Sequence, residues 1–219
     1  MKDKTIVQDY IQKFYPNSDK VKISTVKIIF AAIKDRGFRA VMFYRISRWF
    51  HIRGCKLCAK LIERLIHRLC FCEIPATADI GPGFMVYHPF GLVIGVGVRA
   101  GRNFNVRIDS TFGGRRGEAR ADATVYPVIG DNVAVGAGVR VLGPVNIGDN
   151  VTIGANSVVI NNIPQNCVAA GVPARIIKLN NAKVSMLEQT GELSELLTDL
   201  LSRVSNIEKH IKLDDKKEK

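Results

Sequence analysis

The sequence predicts a mainly β chain, a parallel β-helix of triangular cross-section with helical appendages at both ends. Three observations predict it. From Ile129 to Ile160 an aliphatic residue returns at every sixth position: Ile129, Val135, Val141, Ile147, Ile153 and Val159. Glycine follows four of these, at Gly130, Gly136, Gly148 and Gly154. Val133, Val139, Val145, Val151 and Ser157 stand four places after the first five. A period of six belongs to neither an α-helix nor a simple strand. It suits a coil with one hexapeptide per face, the aliphatic pointing inward, in which each turn buries what a single repeat could not.

In chain order, residues 1–72 read as a helical subdomain. Gly37 and Gly54 punctuate it, and Pro16, Asn17, Ser18 and Asp19 form a turn. Residues 73–178 read as the β-helix. Its inward positions run back as Ile74, Ile80 and Val86, then, after a slip of two residues, as Ile94, Ala100, Val106 and Phe112. The polar, basic stretch RRGEARADATVY between Gly114 and Pro127 lacks the repeat and reads as a loop thrown out of a coil. Such insertions cluster on one face, often the binding face, which makes Arg115 and Arg116 candidate substrate-binding residues. Residues 183–213 read as a C-terminal coiled coil: Leu193, Leu197, Leu200, Val204, Ile207 and Ile211 follow heptad spacing, and the mixture of Leu and β-branched residues permits three strands.

Composition bounds the function. No apolar run reaches the length of a bilayer span, and the segment MKDKTIVQDYIQ lacks the apolar core of a signal peptide, so a cytoplasmic protein with reduced cysteines is expected. The net charge is +12, with ten Lys/Arg between Lys34 and Arg68 against Asp35 and Glu63. That segment is either a solvated helical face or a surface for a membrane or an anionic glycan. Charge alone would admit nucleic acid, but no recognition motif is present, and none is expected as a partner. The pairs Cys55/Cys58 and Cys70/Cys72 match no common zinc spacing, so no metal is expected. The β-helix contains a single histidine, His88, too few for a zinc site assembled from histidines. A lone imidazole, which ionises nearer neutrality than other side chains, suits a general base acting on a hydroxyl.

GFMVYHPFG, TFGG, IGDNVAVGAGVRVLGPVNIGDNVTIGANSVV and GVPARII together resemble the hexapeptide-repeat acyltransferases of the serine acetyltransferase branch. GFRAVMFYRISRWFHIRG extends the likeness to about Gly37. The resemblance implies a left-handed β-helix, a homotrimer with acetyl-CoA between adjacent β-helices, and direct acetyl transfer without a metal. Two trimers paired through their N-terminal helices remain open as a higher assembly. His88 matches the family's catalytic histidine. Glu73, fifteen residues earlier, matches the acid of its dyad, and one coil is expected to place it beneath His88. Thr111, Gly113, Gly114, Gly136, Ala137, Gly154 and Ala155 match the cofactor groove, and Arg175 and Lys178 the region of the coenzyme A phosphates.

The departures concern the acceptor. Tyr87 stands where the family has an aspartate, and Val125-Tyr126 where it has Arg-His. Tyr87 and Tyr126 offer flat faces with a hydroxyl handle, as found against sugar rings. Glu73 at the dyad position looks more like the acetyltransferases of exopolysaccharide and capsule clusters. The leading expectation is therefore an acetyl-CoA-dependent O-acetyltransferase for a saccharide, polymeric or carrier-linked, at the inner membrane face or free in the cytoplasm. A serine O-acetyltransferase and a non-catalytic trimeric scaffold are the alternatives.

Overall fold

The structure is a computed structural model that describes residues 4–16, 23–114, 125–180 and 182–183. Four helices lead into the β region: α1 (Lys4–Phe14), α2 (Thr25–Lys34), α3 (Arg36–Ile52) and α4 (Lys56–Cys70). Ser24 caps α2 through its hydroxyl, and the Asp35 carboxylate caps α3 by accepting the Phe38 N–H at 2.6 Å. Gly54, at φ +83°, ends α3 as expected. Gly37 does not punctuate: it lies inside the first turn of α3, where a Cβ would stand 2.1 Å from the Val86 carbonyl oxygen. Glycine is needed there so that the helix can approach the first coil.

From Glu73 onward the chain winds through short strands into three parallel sheets. One holds β1 (Asp79–Ile80), β4 (Arg99–Ala100), β7 (Val128–Ile129) and β10 (Asn146–Ile147). A second runs β2 (Met85–Tyr87), β5 (Asn105–Arg107), β8 (Ala134–Val135), β11 (Thr152–Ile153) and β13 (Cys167–Gly171). The third holds β3 (Val93–Ile94), β6 (Thr111–Gly113), β9 (Arg140–Leu142) and β12 (Val158–Val159). Three faces visited in rotation are the triangular β-helix the hexapeptides predict. Every inward residue of both series, from Ile74 to Val159, is buried. Phe112 still pairs with Val141 across the insertion, so the loop leaves the coil and returns without disturbing the register. Arg115 and Arg116, in that loop, lie outside the described residues, as does the heptad segment from Leu193 to Ile211.

The wider lower coils are filled by aromatic rings: Phe84 stacks on Phe104 at 5.7 Å and Phe104 meets Phe112 edge-on at 5.4 Å. The upper coils are filled by aliphatic side chains, Val133, Val139, Val145, Val151, Ile147 and Ile153 among them. One corner carries a ladder of asparagines in the left-handed region. Asn103 donates to Asn132 at 2.8 Å, Asn132 to Asn150 at 3.0 Å, and Asn150 to Asn166 at 2.9 Å. Asparagine tolerates that conformation and uses its amide to join coil to coil. The stack closes differently from expectation. Parallel winding stops at β13, and β14 (Ala174–Leu179) folds back antiparallel on it, so residues 174–178 form a hairpin rather than a further coil.

Helices and β-helix form one compact unit spanning residues 1–181. Asp9 and Arg45 join them. Both are buried, with Arg45 Nε 2.8 Å from Asp9 Oδ2. Asp9 Oδ1 also accepts the Gly83 and Phe84 amides at 2.8 and 2.9 Å, while Arg45 donates to the Gly81 carbonyl at 2.6 Å and to that of Ile80. Burial pushes the Asp9 carboxyl up, and Arg45 and the two amides pull it back. Removing one partner strands the other in the interior, which costs about 3–5 kcal/mol. Asp9→Ala should therefore lower the unfolding free energy by about that amount. Denaturant titration checks it, and a loss below about 1 kcal/mol, the range of a surface pair, would be inconsistent with this role.

Candidate active site

His88 follows β2 directly, at the corner where the chain leaves the β2–β5–β8–β11–β13 sheet for the β3–β6–β9–β12 sheet. It is exposed and adopts φ +54°, outside the usual range for a non-glycine residue. Gly136 and Ala137, between β8 and β9, occupy the same corner two coils on. Gly154 and Ala155, between β11 and β12, occupy it one coil further. The column ends at Gly171, whose N–H donates to the Ser157 hydroxyl at 3.1 Å. There β14 turns back and sets exposed Arg175 opposite Ala170. Five strand spacings of ~4.8 Å separate β2, which ends beside His88, from β14, which carries Arg175, about 24 Å along one edge.

This column gathers His88, the small residues Gly136, Ala137, Gly154 and Ala155, and Arg175 on one corner. Thr111 begins β6 beside it, half-buried. Lys178 sits further along β14, opposite Val168 and away from the corner. Gly113 and Gly114 lie across the sheet at its other edge, where Gly114 joins Leu142, Gly143 and Ile160 in lining a cleft of about 570 Å³. Gly136 and Gly154 are also demanded by stacking: a Cβ would meet Ala155 N at 2.6 Å in the first and Ala170 Cβ at 2.9 Å in the second.

Glu73 does not lie beneath His88. It forms a parallel bridge with Val93, on the next face, because a coil here is longer than the fifteen residues that separate Glu73 from His88, and its exposed carboxylate stands 3.8 Å from His67 Nδ1. Among the described residues the His88 ring has no hydrogen-bond partner. Glu73 instead walls a cavity of about 760 Å³ between α4 and the β3 face, shared with Lys60, Arg64, His67, Arg68 and Tyr126. His88 is not on that wall.

The two tyrosines differ. Tyr87 is half-buried beside His88, opposite Arg107 in the next strand, and the Lys13 ammonium lies 5.1 Å from its ring centre. That ammonium is held by Asp35 at 2.6 Å and by the Val86 carbonyl at 2.7 Å. Burial pushes its pKa down and Asp35 pulls it back. Arg36 covers Phe90 at 5.3 Å, so the surroundings of His88 are cationic, a feature absent from the sequence reading. Tyr126 is not the open sugar platform expected. It is 9% exposed and packed where Cβ atoms on Gly95 and Gly97 would come within 2.6 and 2.3 Å of its ring. Two glycines two residues apart, Gly95 and Gly97, were the sequence signal for that slot.

Cys70, Cys72 and Cys167 are buried, and burial pushes the Cys72 thiol up to about 12. Among the described residues no group of three or more histidine, cysteine or acidic side chains could hold a metal ion.

Comparison with known proteins fits this geometry. Residues 126–161 match the family "Bacterial transferase hexapeptide (six repeats)". A serine acetyltransferase of Synechococcus elongatus is 30% identical over 175 residues, covering 78% of this chain and 70% of that protein. One of Buchnera aphidicola is 32% identical over 199 residues, covering 84% and 75%. The crystal structure of the Brucella abortus serine acetyltransferase in complex with coenzyme A superimposes with a TM-score of 0.67 at 25% identity, covering 83% of this chain and 68% of that one. The fold and the column thus define a hexapeptide-repeat acyltransferase that uses acetyl-CoA. The chain belongs to the serine acetyltransferase family.

The Tyr126 ring, packed over Gly95 and Gly97, supports the coil. Tyr126→Phe should keep its stability, whereas Tyr126→Ala should lose about 3–5 kcal/mol, the cost of emptying a buried aromatic site. Thermal and denaturant unfolding of the two variants decide this, and an Ala variant as stable as the parent would return Tyr126 to the list of ligand contacts.

Proposed function

We propose that the chain is an O-acetyltransferase in which His88 takes the proton from an acceptor hydroxyl as the hydroxyl attacks the acetyl-CoA thioester. The carrying observation is the single corner column that sets an exposed imidazole at one end, small residues along its length and Arg175 at the other. Thr111 would border the pantetheine arm and Arg175 would lie toward the phosphates, whereas Gly113, Gly114 and Lys178 stand away from this column. Acetyl passes directly to the hydroxyl, the thiol of coenzyme A leaves, and the imidazolium returns the proton to it. In this reading Glu73 is not the acid partner of its own chain's His88, a choice supported by its backbone bridge to Val93.

The acceptor best supported by the relatives is serine, since both carry that name. Nothing in these relatives supports the saccharide expected from the sequence. One observation of this chain still favours it as a second reading: Tyr87, with Lys13 over its ring, replaces the acid the family pattern would set against an ammonium. We also propose that the protein works as a cytoplasmic homotrimer. Leu142 and Ile160 are 42% and 52% exposed on the β-helix, and Ile108 37% exposed at the His88 corner, as subunit contacts would require.

His88→Ala should leave acetyl-CoA binding intact and lower turnover by about 10²–10⁴-fold, the usual loss for a positioned base. Near-normal turnover would sink the assignment. Labelled acetyl-CoA offered with serine, and separately with neutral and acidic saccharides, separates the two acceptor readings by which acceptor accumulates label.

Direct transfer also predicts no acetyl-enzyme. Buried thiols that stay protonated are poor nucleophiles, so mass spectrometry of enzyme quenched during turnover should find no acetyl group on Cys70, Cys72 or Cys167. A trapped acetyl-Cys72 would refute the direct route.

A further inference from the structure

The exposed surface of α4 carries two columns in register. Leucines lie opposite the buried side of the helix, and beside them run cations of which Lys60, Arg64 and Arg68 also rim the cavity against the β3 face. Lys56, Lys60, Arg64 and Arg68 follow one another at every fourth residue, all exposed. Leu57, Leu61, Leu65 and Leu69 follow at the same spacing, 72%, 48%, 45% and 44% exposed. Residues four apart lie on one side of a helix, so each column is continuous and the two run side by side. The helix packs inward through Ala59, Ile66 and Cys70, and the leucines stay exposed among the described residues. Glu63, its one acid, turns its carboxylate to the Ala76 amide at 2.6 Å. Singly exposed leucines are ordinary on a soluble surface; four in register beside four cations make a patch that calls for a partner.

We infer that this face of α4 docks on an anionic lipid bilayer, the leucines entering the boundary between headgroups and acyl chains and the cations meeting the phosphates. Charge decides between occupants. A second copy of a chain with net charge +12 would bring like charge against the column, whereas an anionic surface complements it and accepts an apolar stripe as well. No described helix is long and apolar enough to cross a membrane, so this contact lies on the surface.

The test floats the full-length protein with vesicles of phosphatidylcholine alone or containing about one third phosphatidylglycerol. Binding to the anionic vesicles should exceed binding to the neutral ones at least tenfold and weaken in high salt, as screening requires. Leu61→Ser with Leu65→Ser, and separately Lys60→Glu with Arg64→Glu, should each reduce it by a similar factor while the sedimentation coefficient stays that of the parent. A polarity-sensitive dye on exposed Cys55, at the start of α4, should shift to the blue on anionic vesicles with every leucine in place. Absence of binding, or equal binding to both vesicles, overturns the inference. A leucine variant that sediments as a smaller species also overturns it, because the stripe would then be a contact between copies.

Discussion

The buried Asp9–Arg45 pair is the interaction on which the placement of everything else depends. A guanidinium and a carboxylate withdrawn from water tolerate burial only when their remaining hydrogen-bonding capacity is met. Here it is met by backbone of the β region: the Gly83 and Phe84 amides on the acid, the Ile80 and Gly81 carbonyls on the base. Those four residues open the path into β2, and β2 ends one residue before His88. Tyr44 adds to the clamp by donating to the Ala78 carbonyl at 2.8 Å and accepting the Ile80 amide at 3.2 Å. A shift of α1 or α3 would break buried polar bonds before it broke apolar contacts, so the helices fix the first coil with a directionality that hydrophobic packing lacks.

Above that clamp the β-helix needs little further specification. Each coil inherits the register of the one beneath, and the corners alone decide how a ligand edge is built. One corner is fixed by the ladder from Asn103 to Asn166, which spends its side chains on joining coils. The His88 corner is populated by glycine and alanine at its upper turns, which leaves backbone accessible along it. The opposition of the two corners, one filled by amides and one cleared of side chains, gives the coil a binding edge without any departure from its repeat.

The inward columns were legible because a six-residue period admits one geometry, and His88 because it stands alone in a histidine-poor domain. Glu73 was misplaced for a physical reason. A regular coil of about eighteen residues would already carry Glu73 past His88 to the level of Gly91, and the two-residue slip between Val86 and Ile94 moves it on to Val93. Tyr126 reads as a ligand platform until the closed coil reveals the slot over Gly95 and Gly97. Asn132 and Asn150 recur one coil apart in plain sight, yet their ladder is visible only when the corners stack. Asp9 and Arg45 carry no local signal at all, since their pairing is settled by the docking of α1 against α3.

The charges about His88 constrain the acceptor whichever hydroxyl it presents. The two carboxylates nearest that corner are already engaged: Asp35 by Lys13 and the Phe38 amide, and Asp109 by Arg140 at 2.9 Å. Lys13 is paired to Asp35, and Arg36 and Arg107 leave a positive balance beside Tyr87. Unit charges about 4 Å apart interact by roughly 4 kcal/mol at an intermediate dielectric, a factor of several hundred in occupancy before solvation offsets it. An acceptor bearing an acid gains from that field, and one bearing a lone ammonium loses. Serine carries both groups, so it would enter with its carboxylate toward these cations. An acidic sugar would enter the same way without an ammonium to place. The two readings therefore share one electrostatic anchor and differ only in whether a second, negative partner must be supplied from outside this corner.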